Sequence, residues 1–175
     1  KNIINSDYIF DIFSTSKITQ PLKAPVCRSF ICPFDPLSYD LVIGFLDESI
    51  QKYDCWPAIS FEKAYNDFNL LCEFVHHHPN IALACKPQFK LNAPSHIFSA
   101  MASLSQLIID GRYYELGDNS LAVHQRNNLL PSVAFKDVDI CIGSAFGGTA
   151  SYECSLTQKR SVLVDVKNVK TPLLN

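Results

Sequence analysis

A chain of 175 residues, 47% hydrophobic and 18% charged, has the length of one domain and is too apolar to be disordered throughout. With 15 basic against 17 acidic residues and no Lys/Arg run longer than the pair Lys159 and Arg160, it lacks the electrostatic footprint of a nucleic-acid groove. Its apolar runs are too short to span a bilayer, so no transmembrane segment is expected in these residues, and peripheral membrane contact stays open.

Residues 1–40 hold four of the ten prolines (Pro21, Pro25, Pro33, Pro36) and read as an irregular leader or covering segment. Within it, 8–13 is an apolar patch suited to a short strand or turn. Cys27 and Cys32 are spaced as a zinc site tolerates, but no second Cys or His pair stands nearby, so no metal is expected. The seven cysteines are odd in number and scattered through apolar runs. That pattern suits a reducing, cytoplasmic setting better than a disulfide framework. The chain starts at Lys1 without a Met or a signal-peptide pattern and stops soon after a strand-like run, so a piece of a longer protein is expected.

From residue 41 to 175 the pattern becomes that of a Rossmann-like domain. Residues 41–46 form a continuous apolar run, as a strand buried on both faces does. Ser60 suits a helix cap, and Phe61, Ala64, Tyr65, Phe68, Leu71, Cys72 and Val75 follow at helical spacing, stopping before Pro79. Residues 81–85 predict a second strand, ending at Lys86. After Pro94 and Ser95, one helical face is expected to carry Ile97, Met101, Leu104 and Ile108, with Gly111 as terminator. Residues 121–124 predict a third strand, Pro131 opens a short helix to Lys136, and 139–142 predict a fourth strand. A small-residue loop follows, then a helix from Thr149 to Thr157 and a fifth strand at 161–164. Strands alternating with helices predict an α/β fold: a parallel sheet of about five strands with helices on both faces.

Ligands of such sheets bind beyond the carboxyl ends of the strands. The residues there are Asp47 and Glu48, Lys86 to Gln88, His124 to Arg126, Gly143 to Thr149, and Asp165. The loop Gly143-Ser144-Ala145-Phe146-Gly147-Gly148-Thr149 can bring backbone N–H groups and a helix N-terminus to an anion; equally, it can be a tight turn that needs glycine for packing. It is neither G-x-G-x-x-G nor a P-loop. Glu153 can accept from a ribose diol, or stand as a solvated acid near a helix N-terminus. Lys86 can neutralise a phosphate or simply end a strand. His124 can be a base, stack on a nucleobase, or be structural. His76, His77 and His78 do not share a helix face, and a helix C-terminus accommodates such cations. No G-x-S-x-G elbow or activated cysteine supports nucleophilic catalysis.

The segment from Asp137 to Glu153 (DVDICIGSAFGGTASYE), continued by KRSVLVD to Asp165, resembles the C-terminal, donor-binding half of GT-B type glycosyltransferases of bacterial surface polysaccharide synthesis. Residues 41–47 look like the first strand of that domain and 81–88 like its strand ending in Lys and Pro. The resemblance implies a nucleotide-sugar donor as substrate, with no cofactor and no bound metal. It implies that Ser144, Gly147, Gly148 and Thr149 line the donor phosphates, that Glu153 holds a ribose or sugar hydroxyl, and that Lys86 sits near phosphate or base. Gln88 stands where capsule-type relatives often have His, which weighs against a CMP-sugar. The family's N-terminal α/β domain, with the acceptor site, is absent from these residues. A sugar-nucleotide epimerase of the same fold and a non-catalytic α/β binding module are the competing readings.

Overall fold

The computed structural model describes residues 3–5, 30–46, 61–88, 93–117, 129–144, 149–157 and 159–164. In chain order the elements are β1 (Ile3–Asn5), a 3-10 turn (Pro36–Ser38), β2 (Leu41–Leu46), α1 (Phe61–His77), β3 (Ile81–Lys86), α2 (Pro94–Ile97), α3 (Ala102–Ile109), β4 (Tyr113–Glu115), α4 (Pro131–Ala134), β5 (Ile140–Ser144), α5 (Thr149–Leu156) and β6 (Arg160–Val164). They form one sheet in the order β1-β6-β5-β2-β3-β4. The pairs among β2 to β6 are all parallel, and β1 joins the β6 edge antiparallel. The expected Rossmann-like parallel sheet is therefore present, with a short antiparallel strand added.

The sheet has two buried faces, because alternate side chains of each strand point to opposite sides. On one face Ile43, Leu83 and Cys85 pack with Phe68, Cys72 and Val75 of α1, Phe98 and Met101, and Leu104 and Leu107 of α3. On the other, Val42, Leu46, Ala82, Ala84 and Cys141 pack with Ala134, Phe135, Val138 and Cys154 of the α4–α5 region. Phe34 joins this second core, with Phe30, Cys32 and Tyr39 packed against it, so residues 30–39 cover the sheet. Close approach is built into that face: a Cβ on Gly44 would stand 2.9 Å from Val138 Cγ1 and 3.2 Å from the Phe135 ring.

Two elements differ from the sequence reading. Tyr113–Glu115 forms a parallel strand that the sequence reading did not expect, and residues 121–124, where a third strand was expected, lie outside the described residues. Gly111 does end the preceding helix, at a positive φ of 67°, and the chain turns directly into that strand. The reading passed over Tyr-Tyr-Glu because it lacks a continuous apolar run. The helix expected after Pro94 is two helices. Phe98 and Met101 flank the break and are both buried, so the bend seats both side chains in the core. The register then shifts: Leu104 and Leu107 face inward, and Ile108 is exposed.

Arg112 explains the end of α1. Its Nη1 donates to the carbonyls of Val75 (2.7 Å), His78 (3.0 Å) and Ile81 (3.2 Å). Its Nη2 donates to His76 O (3.4 Å) and Asp110 Oδ2 (3.1 Å). One buried guanidinium thus answers the orphan carbonyls at the helix C-terminus and complements its dipole.

Candidate functional site

The helices on the first face, α1 to α3, follow β2 and β3; those on the second, α4 and α5, flank β5. The crossovers therefore change side between β2 and β5, which are neighbours in the sheet. In doubly wound sheets the ligand crevice opens at that switch point, beyond the carboxyl ends of the strands. Here those ends are Leu46 and Ser144.

Leu46 pairs with Lys86, and Phe45 with Ile142, so Lys86, Leu46 and Gly143 lie in one row across three adjacent strands. Strands are about 4.8 Å apart, so Lys86 and Gly143 are separated by two such steps. Lys86 alternates with Ala82 and Ala84 and therefore belongs to the face that α4 and α5 cover; it is only 8% exposed.

Gly143 lies directly against α5. A Cβ at this position would stand 2.0 Å from Ser151 Oγ, 3.3 Å from Ser151 Cβ and 3.4 Å from Leu46 Cδ1. The glycine is thus a packing requirement: it lets the first turn of α5 lie on the strand end. Ser151 is 1% exposed, and its Oγ has no hydrogen-bond partner. Below this contact Cys141 of β5 and Cys154 of α5 are both fully buried. The neighbouring Cys141 thiol, followed by burial, pushes the Cys154 thiol far above its ordinary range.

Glu153 reaches sideways from α5 to α4. Its Oε1 accepts from the backbone N–H of Ser132 at 3.1 Å and, in a short bond, from Ser132 Oγ. The N-cap position of α4 is Leu130, which offers no side-chain cap, so Glu153 serves instead. The same device occurs at α2. Its N-cap is Ala93, and the N–H of Ser95 donates to Glu115 Oε1 at 3.1 Å, an oxygen that also accepts from Tyr113 Oη at 2.9 Å. Both short helices begin Pro-Ser and borrow a carboxylate from a distant element. Glu153→Ala should therefore lower stability by about 2 kcal/mol in urea denaturation, with the larger part recovered in Glu153→Gln, whose carbonyl still accepts.

Protein-family models, curated proteins and solved structures offer no match to this chain.

Lys86 ends β3, Ser144 ends β5, and Thr149 and Glu153 belong to α5, which follows β5. His124, Gly147 and Gly148 lie outside the described residues, as do Asp47, Glu48, Arg126, Asp165, Cys27 and Ser60. Glu153 is not a solvated acid: one of its oxygens is held by Ser132. His78 Nδ1 bonds Phe74 O at 2.7 Å and its ring packs on Phe74, while His76 and His77 are exposed at the end of α1. Among the described residues no group of three or more His, Cys, Asp or Glu could hold a metal ion. No helix among them is long and apolar enough to cross a membrane. Ser132 escaped the sequence reading, although Pro131-Ser132 repeats Pro94-Ser95 and could have signalled a borrowed cap.

Cys32, Cys72, Cys85, Cys141 and Cys154 are thiols outside any disulfide. Burial pushes Cys72 up to about 12. At pH 8 iodoacetamide should leave Cys72, Cys85, Cys141 and Cys154 unmodified in the native chain and alkylate all four in guanidinium, as peptide mass spectrometry would read. Rapid native labelling of Cys141 or Cys154 would contradict their packing.

Proposed function

We propose that this chain is a nucleotide-sugar-binding domain, the donor half of a GT-B type glycosyltransferase acting in glycan or polysaccharide synthesis in the cytoplasm. The observation that carries the reading is the row of Lys86, Leu46 and Gly143 at the switch point, with α5 starting directly above it. In this reading the donor diphosphate lies over the strand ends. Backbone N–H groups after Gly143, the positive end of α5 and the Lys86 ammonium stabilise charge that builds on the leaving nucleotide. The donor is a substrate, and no cofactor is required. A second α/β domain would bring the acceptor and its base.

Calorimetric titration with UDP-, GDP- and CMP-sugars tests this. One nucleotide class should bind, and Lys86→Met should weaken it about tenfold, the worth of one charge-assisted hydrogen bond. A folded chain that binds none of the three contradicts the proposal. Conversion of UDP-N-acetylglucosamine without an acceptor would move it to an epimerase.

A non-catalytic module is the second reading. The shared device at Glu115 and Glu153 favours it, since it gives Glu153 a purely architectural job. Under that reading Glu153→Ala changes stability and leaves nucleotide affinity untouched.

A further inference from the structure

We propose that Cys141 and Cys154 form a redox latch, a buried dithiol that closes reversibly to a disulfide and ties α5 to β5. The latch needs no ligand and acts on the packing of the helix against the strand.

Strand alternation aims the first thiol. Ile140 and Ile142 pack on the α1 side of the sheet, so Cys141 and Gly143 face α5. On the helix, Ser151 and Cys154 are three residues apart and share its buried side. α5 runs back along β5, because it leads into the parallel neighbour β6. Ser151 meets Gly143, and three residues further along the helix is a descent of about 4.5 Å. Two residues back along β5 is a descent of about 6.6 Å, which sets Cys141 beside Cys154. The Cys141 thiol is accordingly the first influence on the Cys154 thiol. The layers are close enough for a covalent bridge. A Cβ on Gly143 would stand 3.3 Å from Ser151 Cβ, and a disulfide spans about 3.5–4.5 Å between Cβ atoms. Cys72 and Cys85 belong to the core on the other face of the sheet, so neither competes for this pairing.

The oxidant is hydrogen peroxide. One thiol sulfur attacks a peroxide oxygen, the O–O bond breaks, and water leaves with the thiol proton. The other sulfur attacks the sulfenic sulfur so formed, the S–O bond breaks, and a second water leaves with the second proton. Two thiols are oxidised to one disulfide, and one peroxide is reduced to two waters. Burial shields both sulfurs and keeps Cys154 a thiol, so the first step waits for α5 to lift. The second step follows when the helix settles back. The bridge closes the loop from 141 to 154 and holds α5 down until a thiol reductant opens it.

The test holds the full chain in hydrogen peroxide for hours without denaturant. Remaining thiols are then blocked with iodoacetamide in guanidinium, and tryptic peptides are read by mass spectrometry. Both cysteines fall in the one peptide 137–159. That peptide should lose two hydrogens and take up no iodoacetamide, and dithiothreitol before blocking should reverse both changes. Cys72 and Cys85 should stay open to alkylation. In urea the oxidised chain should show a folding equilibrium constant about a hundredfold higher than the reduced chain, as closing a loop of this length supplies. Cys154→Ala, treated alike, should gain nothing. Should that variant not fold, oxidised and reduced wild type carry the comparison alone. Peroxide that leaves peptide 137–159 fully alkylated, that gives only sulfinic or sulfonic acid in it, or that joins it to another cysteine overturns the latch. So does a bridge within it that fails to raise stability.

Discussion

Arg112→Met should lower the unfolding free energy by about 3 kcal/mol. The replacement keeps the aliphatic stem and removes five donated hydrogen bonds, four of them to backbone carbonyls near the end of α1 and the start of β3. Those carbonyls lie where water cannot easily replace the guanidinium, since Arg112 is only 9% exposed. Arg112→Lys should recover less than half: an ammonium keeps the charge that favours a helix C-terminus but cannot span acceptors on both sides of a fork. The ion pair with Asp110 is the lesser part. That carboxyl is held below its ordinary range by the Gln106 amide first and by Arg112 second. Because its folded value is lowered, its contribution is present above the ordinary carboxylate range and fades as pH falls through the lowered value. Urea titration at pH 7 reads the main effect. A loss under about 1 kcal/mol for Arg112→Met would show that the carbonyls find other partners.

Gly143→Ala should cost about 3 kcal/mol and should do so because of one atom. The new methyl would stand 2.0 Å from Ser151 Oγ, far inside contact distance, while the next neighbours are 3.3 and 3.4 Å away. Removing that oxygen should remove most of the penalty. Ser151→Ala alone should be neutral or slightly stabilising, because its hydroxyl is buried without a partner. In the Ser151→Ala background, Gly143→Ala should then cost about 1 kcal/mol or less, so the two substitutions couple strongly. Additive effects in a double-mutant cycle would contradict the contact. The cycle also separates the two uses of the loop glycine set out from the sequence. A packing requirement at Gly143 is rescued by Ser151→Ala, and a requirement for backbone exposure to a ligand is not.

The strands buried on both faces were the most legible elements. Residues 41–46, Gly44 apart, and 81–85 carry apolar side chains on both faces, the pattern of a covered parallel strand. Tyr113–Glu115 was hidden because only three residues pair, and its side chains are half-buried at the edge of the parallel set. The break between α2 and α3 was hidden because Phe98 and Met101 preserve the spacing of one helix while the backbone turns between them. The positions of Lys86 and Gly143 at strand ends followed from strand order, which local pattern supplies. The partner of Glu153 did not follow. Ser132 lies 21 residues away, and no local rule pairs a helix start with a carboxylate on the next helix. The same holds for Arg112, whose carbonyl acceptors lie more than 30 residues back.

The central claim is that a nucleotide diphosphate sits at the switch point between β2 and β5. Backbone amide NMR of the isotopically labelled chain, titrated with UDP, GDP and CDP, tests it most directly. The expected result is saturable shifts at Lys86, at Gly143 and Ser144, and in the first turn of α5, with the opposite end of the sheet, around Asn80 and Gly111, unmoved. Saturable shifts centred elsewhere, or none with any of the three, would contradict it.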